Sequence, residues 1–374
     1  MRMLFTAVPG LGHHHPVLPL ALAAAVGGHD VRVATGADRV EWVRRCGAAA
    51  VAAGLPLPAL VAAAEKQGLS GPEWPRRMFT SIAVPPMVTD LLGLADEWQP
   101  DLVVHEEGEY AAPLVATLLG VPCVTHSWPS PARPAPGRAL LDGPLSEVWE
   151  RFGAAGPARQ TGELYLDACP PLLQHPDAAG LLPRIVPVHP VGFDGPPESP
   201  PAWLETLPRP AVYVTLGTVP ASSRPELLQR LVDAATDVAA SIVVSTGPNP
   251  VDVIGSGRPG VHAVQYLPQS LVLPNVDAVV AHGGAGTTVG AILHGLPQLA
   301  LPGIAPSQRA SAARVVAVGA GLQLDWDDAT PDALREAITS LLEDPHIATA
   351  AQAARDDIDR LPRPPDVVPL LTRG

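Results

Sequence analysis

Residues 276–294 read VDAVVAHGGAGTTVGAILH. The apolar, β-branched run at 276–281 has the length and composition of a buried strand, and residues 287–294 are typical of a helix. A strand, a glycine-rich turn and a helix in this order direct several backbone N–H groups and the positive end of the helix dipole at one point. Such a point attracts an anion, most naturally a phosphate. The segment therefore predicts one strand–turn–helix unit of an α/β sheet, with a phosphate site at its turn.

The turn itself, HGGAGTT, carries the groups that such a site needs. Gly283, Gly284 and Gly286 let the backbone approach a ligand closely. His282 and Thr287 add side-chain donors. The alternative is an ordinary β–α connection that happens to contain glycines, so the context of the turn has to decide between the two.

Strand-like and helix-like segments alternate through both halves of the chain, with a looser, helix-like region at 56–100 that contains Trp74, Met78, Phe79 and Met87. This alternation predicts parallel sheets covered on both faces, in two doubly wound Rossmann-like α/β domains. The predicted strands are 4–8, 30–34, 49–52, 101–105, 121–125, 211–216, 241–245, 260–264, 276–281 and 298–301. The predicted helices are 15–26, 37–46, 109–119, 225–240, 287–294 and 308–318, with a further helix starting at Thr330 and Pro331.

Proline clusters divide the chain into parts. We expect a first domain at 1–185, a proline-rich linker at 186–210, a second domain at 211–355, and a C-terminal helical segment at 356–374 that packs back on the first domain. Two such domains imply a cleft between them. Ligands of open α/β sheets bind outside the carboxyl ends of the strands, so this cleft is the expected site.

The charge and composition exclude several classes of partner. The net charge is −13, and no basic cluster offsets it, which argues against nucleic acid and anionic membranes. The longest Ala/Val/Leu stretch, 48–64, is interrupted by glycine and proline and cannot span a bilayer. Cys46, Cys123 and Cys169 are widely spaced and odd in number, as in a reducing compartment. With no signal peptide before the first strand, we expect a cytoplasmic protein.

The carboxyl ends of the first and fourth predicted strands carry candidate catalytic groups. In a sheet of order 3-2-1-4-5 these strands are neighbours, so His13 and Glu106 can meet. A histidine oriented by a carboxylate is a general base that can remove a proton from a hydroxyl near neutral pH. The alternative for His13 is a helix-capping or solvent-facing role. We expect His14 and His15 to be structural.

Two other motifs point to different chemistry. The turn at 9–15 does not complete the G-x-G-x-x-G dinucleotide fingerprint, because His15 fills the third glycine position, and this weakens a dehydrogenase interpretation. Asp325 and Asp327 form a D-x-D, which suggests a metal–diphosphate site, but they lie among loop residues just before a helix start. We therefore expect no metal at that position.

Taken together, the chain resembles GT-B glycosyltransferases of the family that includes bacterial antibiotic and macrolide glycosyltransferases. The resemblance covers essentially the whole length. It is carried by PGLGHHHPVLPLA at 9–21, PDLVVHEEGEYAAPLVA at 100–116, VYVTLGT at 212–218, YLPQSLVLPNVDAVVAHGGAGT at 266–287 and LHGLPQLALP at 293–302.

This resemblance implies an N-terminal acceptor-binding domain and a C-terminal domain that binds a nucleotide-sugar. His13 matches the family's base and Glu106 its orienting partner. The family usually has Asp at the second position, which leaves Glu107 and Glu109 as alternative partners. The donor-binding residues implied by the resemblance are Gly217, Thr218, Tyr266, Gln269, His282, Gly284, Ala285, Gly286, Thr287, Ser307 and Gln308. Two of them depart from the family pattern: Tyr266 replaces the Trp that usually stacks on the base, and Ser307 replaces the usual Asp.

The implied reaction is a direct, inverting transfer of a sugar, of the hexosyltransferase type, that needs neither a metal nor a cofactor beyond the nucleotide-sugar. Relatives that use UDP-sugars commonly carry a Glu eight residues after the motif histidine, and here that position is Gly290. We therefore expect a dTDP-linked deoxysugar as donor and an apolar natural product as acceptor, with a homodimer as one option. The alternatives are a nucleotide-sugar isomerase or epimerase of the same fold and a non-catalytic helper subunit.

Overall fold

The computed structural model describes residues 1–71, 73–218, 224–254, 257–303 and 305–372. The chain divides into two compact units. Unit 1 comprises Met1–Pro170, His175–Pro197 and Pro362–Gly374, and unit 2 comprises Pro171–Gln174 and Glu198–Leu361. Each unit contains one fully parallel sheet with helices on both faces, so the prediction of two Rossmann-like α/β domains is confirmed.

The sheet of unit 1 has the strand order β3-β2-β1-β4-β5-β6-β7, which confirms that β1 and β4 are neighbours. Successive side chains of β1 enter opposite faces, as the period of two requires: Met3 packs with the helices on one face, and Leu4 with those on the other. The strands of unit 1 are β1 Arg2–Thr6, β2 Asp30–Thr35, β3 Ala50–Ala52, β4 Leu102–Glu106, β5 Cys123–His126, β6 Leu164–Asp167 and β7 Arg184–Pro187.

Ten helices of unit 1 accompany these strands among the described residues, and their bounds are α1 Leu11–Val26, α2 Ala37–Arg45, α3 Leu57–Lys66, α4 Glu73–Arg77, α5 Val84–Trp98, α6 Ala111–Leu119, α7 Ala135–Ala139, α8 Asp142–Arg151, α9 Ala178–Leu181 and, at the chain's end, α16 Pro364–Leu371. A π-helical turn, Met78–Ile82, connects α4 to α5. Helix α16 packs on α1, where Val367 and Leu371 join Val17 and Leu20 in one apolar cluster.

Unit 2 repeats the arrangement with the strand order β10-β9-β8-β11-β12-β13. Its strands are β8 Ala211–Thr215, β9 Ser241–Ser245, β10 Val261–Val264, β11 Ala278–Ala281, β12 Gln298–Ala300 and β13 Gly321–Gln323. Its helices are α10 Pro225–Thr236, α11 Gln269–Val272, α12 Ala285–Leu293, α13 Pro306–Ala317, α14 Pro331–Glu343 and α15 Pro345–Ile358. The Thr330 side chain caps α14 by accepting from the backbone N–H of Ala333 at 3.2 Å, as its sequence position predicts.

Two helix starts differ from the sequence prediction. Helix α1 begins at Leu11 and not at residue 15, because the extended backbone of Gly10 ends the preceding segment and its carbonyl accepts from the amides of His13 and His14. His13 therefore lies in the first turn of a helix. Helix α6 begins at Ala111 and not at residue 109, since the Glu109 carboxylate accepts from the first amides of that helix.

The region at 56–100 is more regular than its sequence indicates. Residues Glu73–Trp98 form a helical run that is long and apolar enough, by length and composition, to cross a membrane, and half of its apolar window is buried. Val88 and Leu91 pack in the same cluster as Leu4 of β1, while Met78 packs with Leu60 of α3. These contacts make the run a core element of unit 1.

The end of the first sheet and the unit boundaries also differ in detail from the sequence pattern. Strands β6 and β7 were not predicted, and β7 crosses the start of the expected linker at 186–210. As the outermost strand of its sheet, β7 tolerates Pro187 at its end. Helix α15 continues to Ile358, so residues 356–361 belong to unit 2 and the C-terminal part of unit 1 starts at Pro362.

Candidate active site

His13 and Glu106 meet at the carboxyl ends of two neighbouring strands. The register of β1 and β4 pairs Thr6 with His105, so Glu106 ends β4 beside the point where the chain turns from β1 into α1. Nδ1 of His13 lies 2.8 Å from Oε1 of Glu106. The Glu106 side chain is fully buried, whereas His13 keeps 18% of its side-chain surface exposed. Because an ionised carboxylate only accepts, Nδ1 carries the proton and Nε2 is the free basic nitrogen.

Four donors surround the Glu106 carboxylate. Besides His13, the amide of Val8 donates to Oε1 at 3.3 Å, and the amide of Gly108 and the indole N–H of Trp128 both donate to Oε2 at 2.7 Å. Burial alone would raise the pKa of Glu106, but the interaction with His13 and the hydrogen bonds from the amides of Gly108 and Val8 together hold this pKa below its usual value. The carboxylate is thus ionised and fixed in orientation.

The two alternative partners for His13 are engaged elsewhere. Glu109 accepts from the Thr6 hydroxyl at 2.6 Å and caps α6, and burial raises its pKa to about 7. Burial also raises the pKa of Glu107, whose Oε2 accepts from the backbone amide of Trp128 at 3.4 Å. Of the three carboxylates, Glu106 is the one that contacts His13.

The neighbouring histidines are built into the core of unit 1. Nδ1 of His14 donates to the carbonyl of Gly10 at 2.7 Å, its Nε2 lies 3.0 Å from the Thr35 hydroxyl, and burial lowers its pKa to about 4. His15 packs its ring against Trp42, and burial lowers its pKa as well. Both positions fit the structural role expected for them.

Two aromatic side chains that were not assigned to the dyad flank His13. The Phe79 ring lies 5.5 Å from the imidazole, centroid to centroid, and the Trp128 ring meets it edge-on at 5.0 Å. Phe79 belongs to the π-helical turn that connects α4 to α5. Trp128 was missed, although it follows β5, the strand next to β4, by two residues, and this position is the signal that could have identified it.

In unit 2 the glycine-rich turn lies at the corresponding point of the second sheet. Strands β8 and β11 are neighbours with Thr215 opposite Ala281, and the chain leaves them in opposite directions across the sheet. Gly217 and Thr218 follow the first strand, and His282 follows the second. This is the position at which open α/β sheets bind ligands.

The ring of His282 lies against two glycines. A Cβ on Gly217, whose φ is +85°, would lie 2.7 Å from Cε1 of His282, and a Cβ on Gly284 would lie 2.4 Å from its Nε2. Both positions therefore require glycine for space, and Gly217 also requires it for conformation. Nδ1 of His282 is buried and has no hydrogen-bond partner among the described residues. Burial lowers the pKa of His282 to about 4, so the imidazole is neutral at physiological pH.

Helix α12 starts directly at this turn. Gly284 is its N-cap residue and Ala285 its first helical residue, and Gly286 is exposed, so the free amides of the first turn are accessible. Thr287 is buried, and its hydroxyl accepts from the side-chain amide of Gln269 at 2.7 Å. The residues predicted to bind phosphate thus lie together at one helix N-terminus, and we call them the cradle: His282, Gly284, Ala285, Gly286 and Thr287.

The remaining predicted donor-binding residues are spread around this turn. Gln308 lies beside the turn, since a Cβ on Gly283 would lie 2.9 Å from the backbone carbonyl oxygen of Gln308. The side-chain oxygen of Gln308 accepts from the amide of Gly303. Ser307 is exposed in the first turn of α13. Tyr266 follows β10 and is 43% exposed, as a stacking surface would be.

The D-x-D pair, Asp325 and Asp327, lies in the loop that follows β13. Asp325 forms an ion pair with Arg309 at 2.8 Å, and Asp327 is exposed. No group of three or more His, Cys, Asp or Glu side chains that could hold a metal occurs among the described residues. The expectation of a metal-independent reaction remains a prediction.

Two parallel α/β units of this kind are shared with solved glycosyltransferases. The structure matches that of the glycosyltransferase VinC in complex with dTDP with a TM-score of 0.84 at 30% identity, covering 100% of this chain and 99% of that one. It matches the spinosyn rhamnosyltransferase SpnG complexed with spinosyn aglycone with a TM-score of 0.83 at 26% identity, covering 100% of both chains. The fold is therefore that of the GT-B glycosyltransferases.

The sequence comparison gives the family. The model of the erythromycin biosynthesis protein CIII-like N-terminal domain matches residues 75–217, and that of the C-terminal domain matches residues 229–373. The L-demethylnoviosyl transferase of Streptomyces niveus is 34% identical over 380 residues, which cover 97% of this chain and 96% of that protein. The chain belongs to this family of antibiotic glycosyltransferases.

Proposed function

We propose that this protein is an inverting glycosyltransferase that moves a deoxysugar from a dTDP-sugar to a hydroxyl group of an apolar natural product, and that it acts in the cytoplasm. The observation that carries the proposal is the His13–Glu106 pair, in which the basic nitrogen Nε2 is left free. The glycine turn before α12 supplies the second requirement, a place for a diphosphate. The dTDP bound to VinC and the aglycone bound to SpnG support the two substrate classes.

In the proposed mechanism, Nε2 of His13 takes the proton of the acceptor hydroxyl while its oxygen attacks the anomeric carbon of the donor. The bond from that carbon to the diphosphate oxygen breaks, and its electron pair leaves with dTDP. Glu106 stabilises the imidazolium that forms, through the hydrogen bond to Nδ1. A single displacement of this kind inverts the configuration at the anomeric carbon.

The leaving diphosphate gains negative charge, and we assign its stabilisation to the turn before α12. The amides of the first helical turn and the helix dipole are aimed at this position before the reaction starts. The buried Nδ1 of His282, which lacks a protein partner among the described residues, is suited to bind a ligand atom.

Because the turn supplies this stabilisation, transfer should continue at an undiminished rate in the presence of a chelator such as EDTA. A requirement for added divalent metal would contradict this part of the proposal.

The preference for dTDP rests on Gly290. This residue is buried in α12, and a Cβ there would lie 3.3 Å from the side-chain oxygen of Gln269 and 3.0 Å from Leu273. The position therefore faces Gln269, where the resemblance places the nucleotide. Without a carboxylate at this position, a ribose 2′-hydroxyl gains no acceptor from residue 290. A buried carboxylate would by contrast disfavour a deoxyribose that leaves it unpaired.

Calorimetric titration with dTDP and UDP tests this preference. We expect the wild-type protein to bind dTDP at least as tightly as UDP, and Gly290→Glu to shift the ratio of the two affinities toward UDP. Gly290→Ala is the matched control, because it introduces the contact with Leu273 without the carboxylate. UDP binding that is about ten-fold tighter than dTDP binding in the wild type, or 1.4 kcal/mol, would contradict the assignment.

The rival functions are separated by the substrates they need. Purified protein is incubated with a dTDP-deoxysugar alone, then with a panel of apolar aglycones, and the products are identified by mass spectrometry and by the anomeric coupling constants in NMR spectra. We expect no change of the sugar with donor alone, and an aglycone-linked product of inverted configuration. Rearrangement of the donor without acceptor would indicate an isomerase. Donor binding without any product would indicate a helper subunit, and retained configuration would contradict the single displacement.

A further inference from the structure

The side chain of Trp128 contacts both His13 and Glu106. Its indole N–H donates to Oε2 of Glu106 at 2.7 Å. Its ring lies edge-on against the His13 ring, with centroids 5.0 Å apart and an interplanar angle of 88°. One side chain therefore contacts both members of the pair.

The hydrogen bond of Trp128 determines which carboxylate oxygen faces His13. Oε2 is occupied by Trp128 and by the amide of Gly108, both of which can only donate. The rotation of the carboxylate about its last bond is thereby fixed, and Oε1 is presented to Nδ1 of His13. Since that contact keeps the proton on Nδ1, the indole acts on the position of the histidine proton through the carboxylate.

The space around Gly108 shows how closely these groups fit. A Cβ on Gly108 would lie 2.6 Å from Cζ2 of Trp128 and 3.2 Å from Cε1 of His13. The first distance is shorter than real side chains adopt, so either the backbone or the indole ring would have to move. On another side, Phe79 limits the movement of the His13 ring.

We propose that Trp128 is a positioning residue of the transfer reaction, which keeps the Glu106 carboxylate turned so that His13 carries its proton on Nδ1 and offers Nε2 as the base. The expected effect on kcat rests on the proposed function, because it needs a transfer reaction. The tautomer of His13 can be measured in the protein without substrates. Gly108 contributes by leaving the room that the Trp128 and His13 rings occupy.

The first test is Trp128→Phe, which keeps an aromatic ring and removes the N–H donor. We expect kcat to fall about 10- to 100-fold, as the loss of one hydrogen bond to a charged group implies. The KM of the acceptor should change by less than about three-fold, because the missing contact acts on the base and not on ground-state binding. Trp149→Phe is the matched control: this indole is buried in the core of unit 1, its N–H has no partner among the described residues, and kcat should stay near the wild-type value.

A double-mutant cycle separates positioning from packing. If Trp128 acts through the carboxylate, Trp128→Phe should cost much less in a Glu106→Gln background than in the wild type, by about three-fold or less. The same factor in both backgrounds would show that Trp128 acts independently of Glu106, and would overturn the proposal. Gly108→Ala keeps the indole N–H but displaces its ring, so it should also lower kcat and provides a second variant if Trp128→Phe folds poorly.

The tautomer of His13 tests the inference without substrates. In protein labelled with ¹⁵N-histidine, the His13 resonances, assigned with His13→Ala, should show a proton on Nδ1 in the wild type and a larger share of the Nε2–H form in Trp128→Phe. An unchanged tautomer in Trp128→Phe would overturn the proposal, whatever the change in kcat. A wild-type protein that transfers no sugar counts against the proposed function alone, because the tautomer measurement does not depend on transfer.

Discussion

Replacing Glu106 by glutamine keeps the size of the side chain and exchanges one acceptor oxygen for an NH₂ donor. The carboxylate is surrounded by donors on both oxygens, namely His13 Nδ1 and Val8 N on Oε1, and Gly108 N and Trp128 Nε1 on Oε2. The two backbone amides and the indole cannot change roles. His13 can, because its proton can move from Nδ1 to Nε2.

The new NH₂ group should therefore take the Oε1 position, facing His13. There it meets one fixed donor, the Val8 amide, whereas two fixed donors face the Oε2 position. Nδ1 then accepts, Nε2 carries the proton, and the base is blocked. General-base catalysis contributes about 10²–10⁴-fold, so we expect kcat to fall within this range while the KM of the acceptor changes little. The amide of Val8 is left facing a donor in a buried site, which should lower the free energy of unfolding by about 1–3 kcal/mol.

The assay is steady-state transfer from a dTDP-sugar to an aglycone, with dTDP affinity measured by calorimetry and unfolding followed in denaturant. The affinity for dTDP should stay within about two-fold of the wild type, a change below 0.5 kcal/mol, because the proposed phosphate cradle is in unit 2 and Glu106 is in unit 1. Glu107→Gln is the matched control, since its carboxyl group does not contact His13. The reasoning is refuted if Glu106→Gln retains full turnover, or if Glu107→Gln or Glu109→Gln is the damaging change instead.

Three further results are expected. Stability should rise from about pH 4.5 to 6.5 in thermal unfolding scans, because unfolded histidines with a pKa of about 6.5 bind protons that their buried forms release. These histidines outnumber the two carboxyls, Glu107 and Glu109, whose raised pKa values act in the opposite direction, and a flat profile would contradict the prediction. Burial lowers the pKa to about 4 for His14, His105, His126 and His282, and raises it to about 7 for Glu109. Gly284→Ala should weaken dTDP binding by about ten-fold or more in calorimetry, since the added methyl group meets the His282 ring and overpacking costs about 1–3 kcal/mol; unchanged affinity would argue against the cradle. Phe79→Ala should raise the KM of an apolar aglycone more than it lowers kcat, whereas a pure loss of kcat would mean that Phe79 serves the base alone.

The sequence was sufficient for those features that follow from the order of strands. Once β1 and β4 are neighbours in a parallel sheet, His13 and Glu106 must lie at the same edge, and the structure brings them to 2.8 Å. The choice among three nearby glutamates could not be made in advance. It depends on the direction of each side chain at the end of β4, and on the fact that Glu109 is used as a cap for α6.

The local sequence did not predict features that depend on contacts between distant parts of the chain. Gly10 and Gly12 indicate a turn, yet α1 starts between them because the Gly10 carbonyl accepts from the His13 and His14 amides. Trp128 was not assigned from the sequence: its position two residues after β5 places it near Glu106, but the 2.7 Å contact depends on the direction of its side chain. Strand β7 was not predicted because prolines surround it, and proline is tolerated in β7 because this is the outermost strand of its sheet.

The most direct test of the central claim, that His13 is the base and the glycine turn of unit 2 holds the nucleotide, is to measure dTDP binding and sugar transfer on the same preparation of His13→Ala. The variant should bind dTDP within about two-fold of the wild type, because the cradle is unchanged. Its turnover on an acceptor with an unactivated hydroxyl should fall by about 10²–10⁴-fold, because the proposed base is removed. Turnover within a few-fold of the wild type would contradict the account.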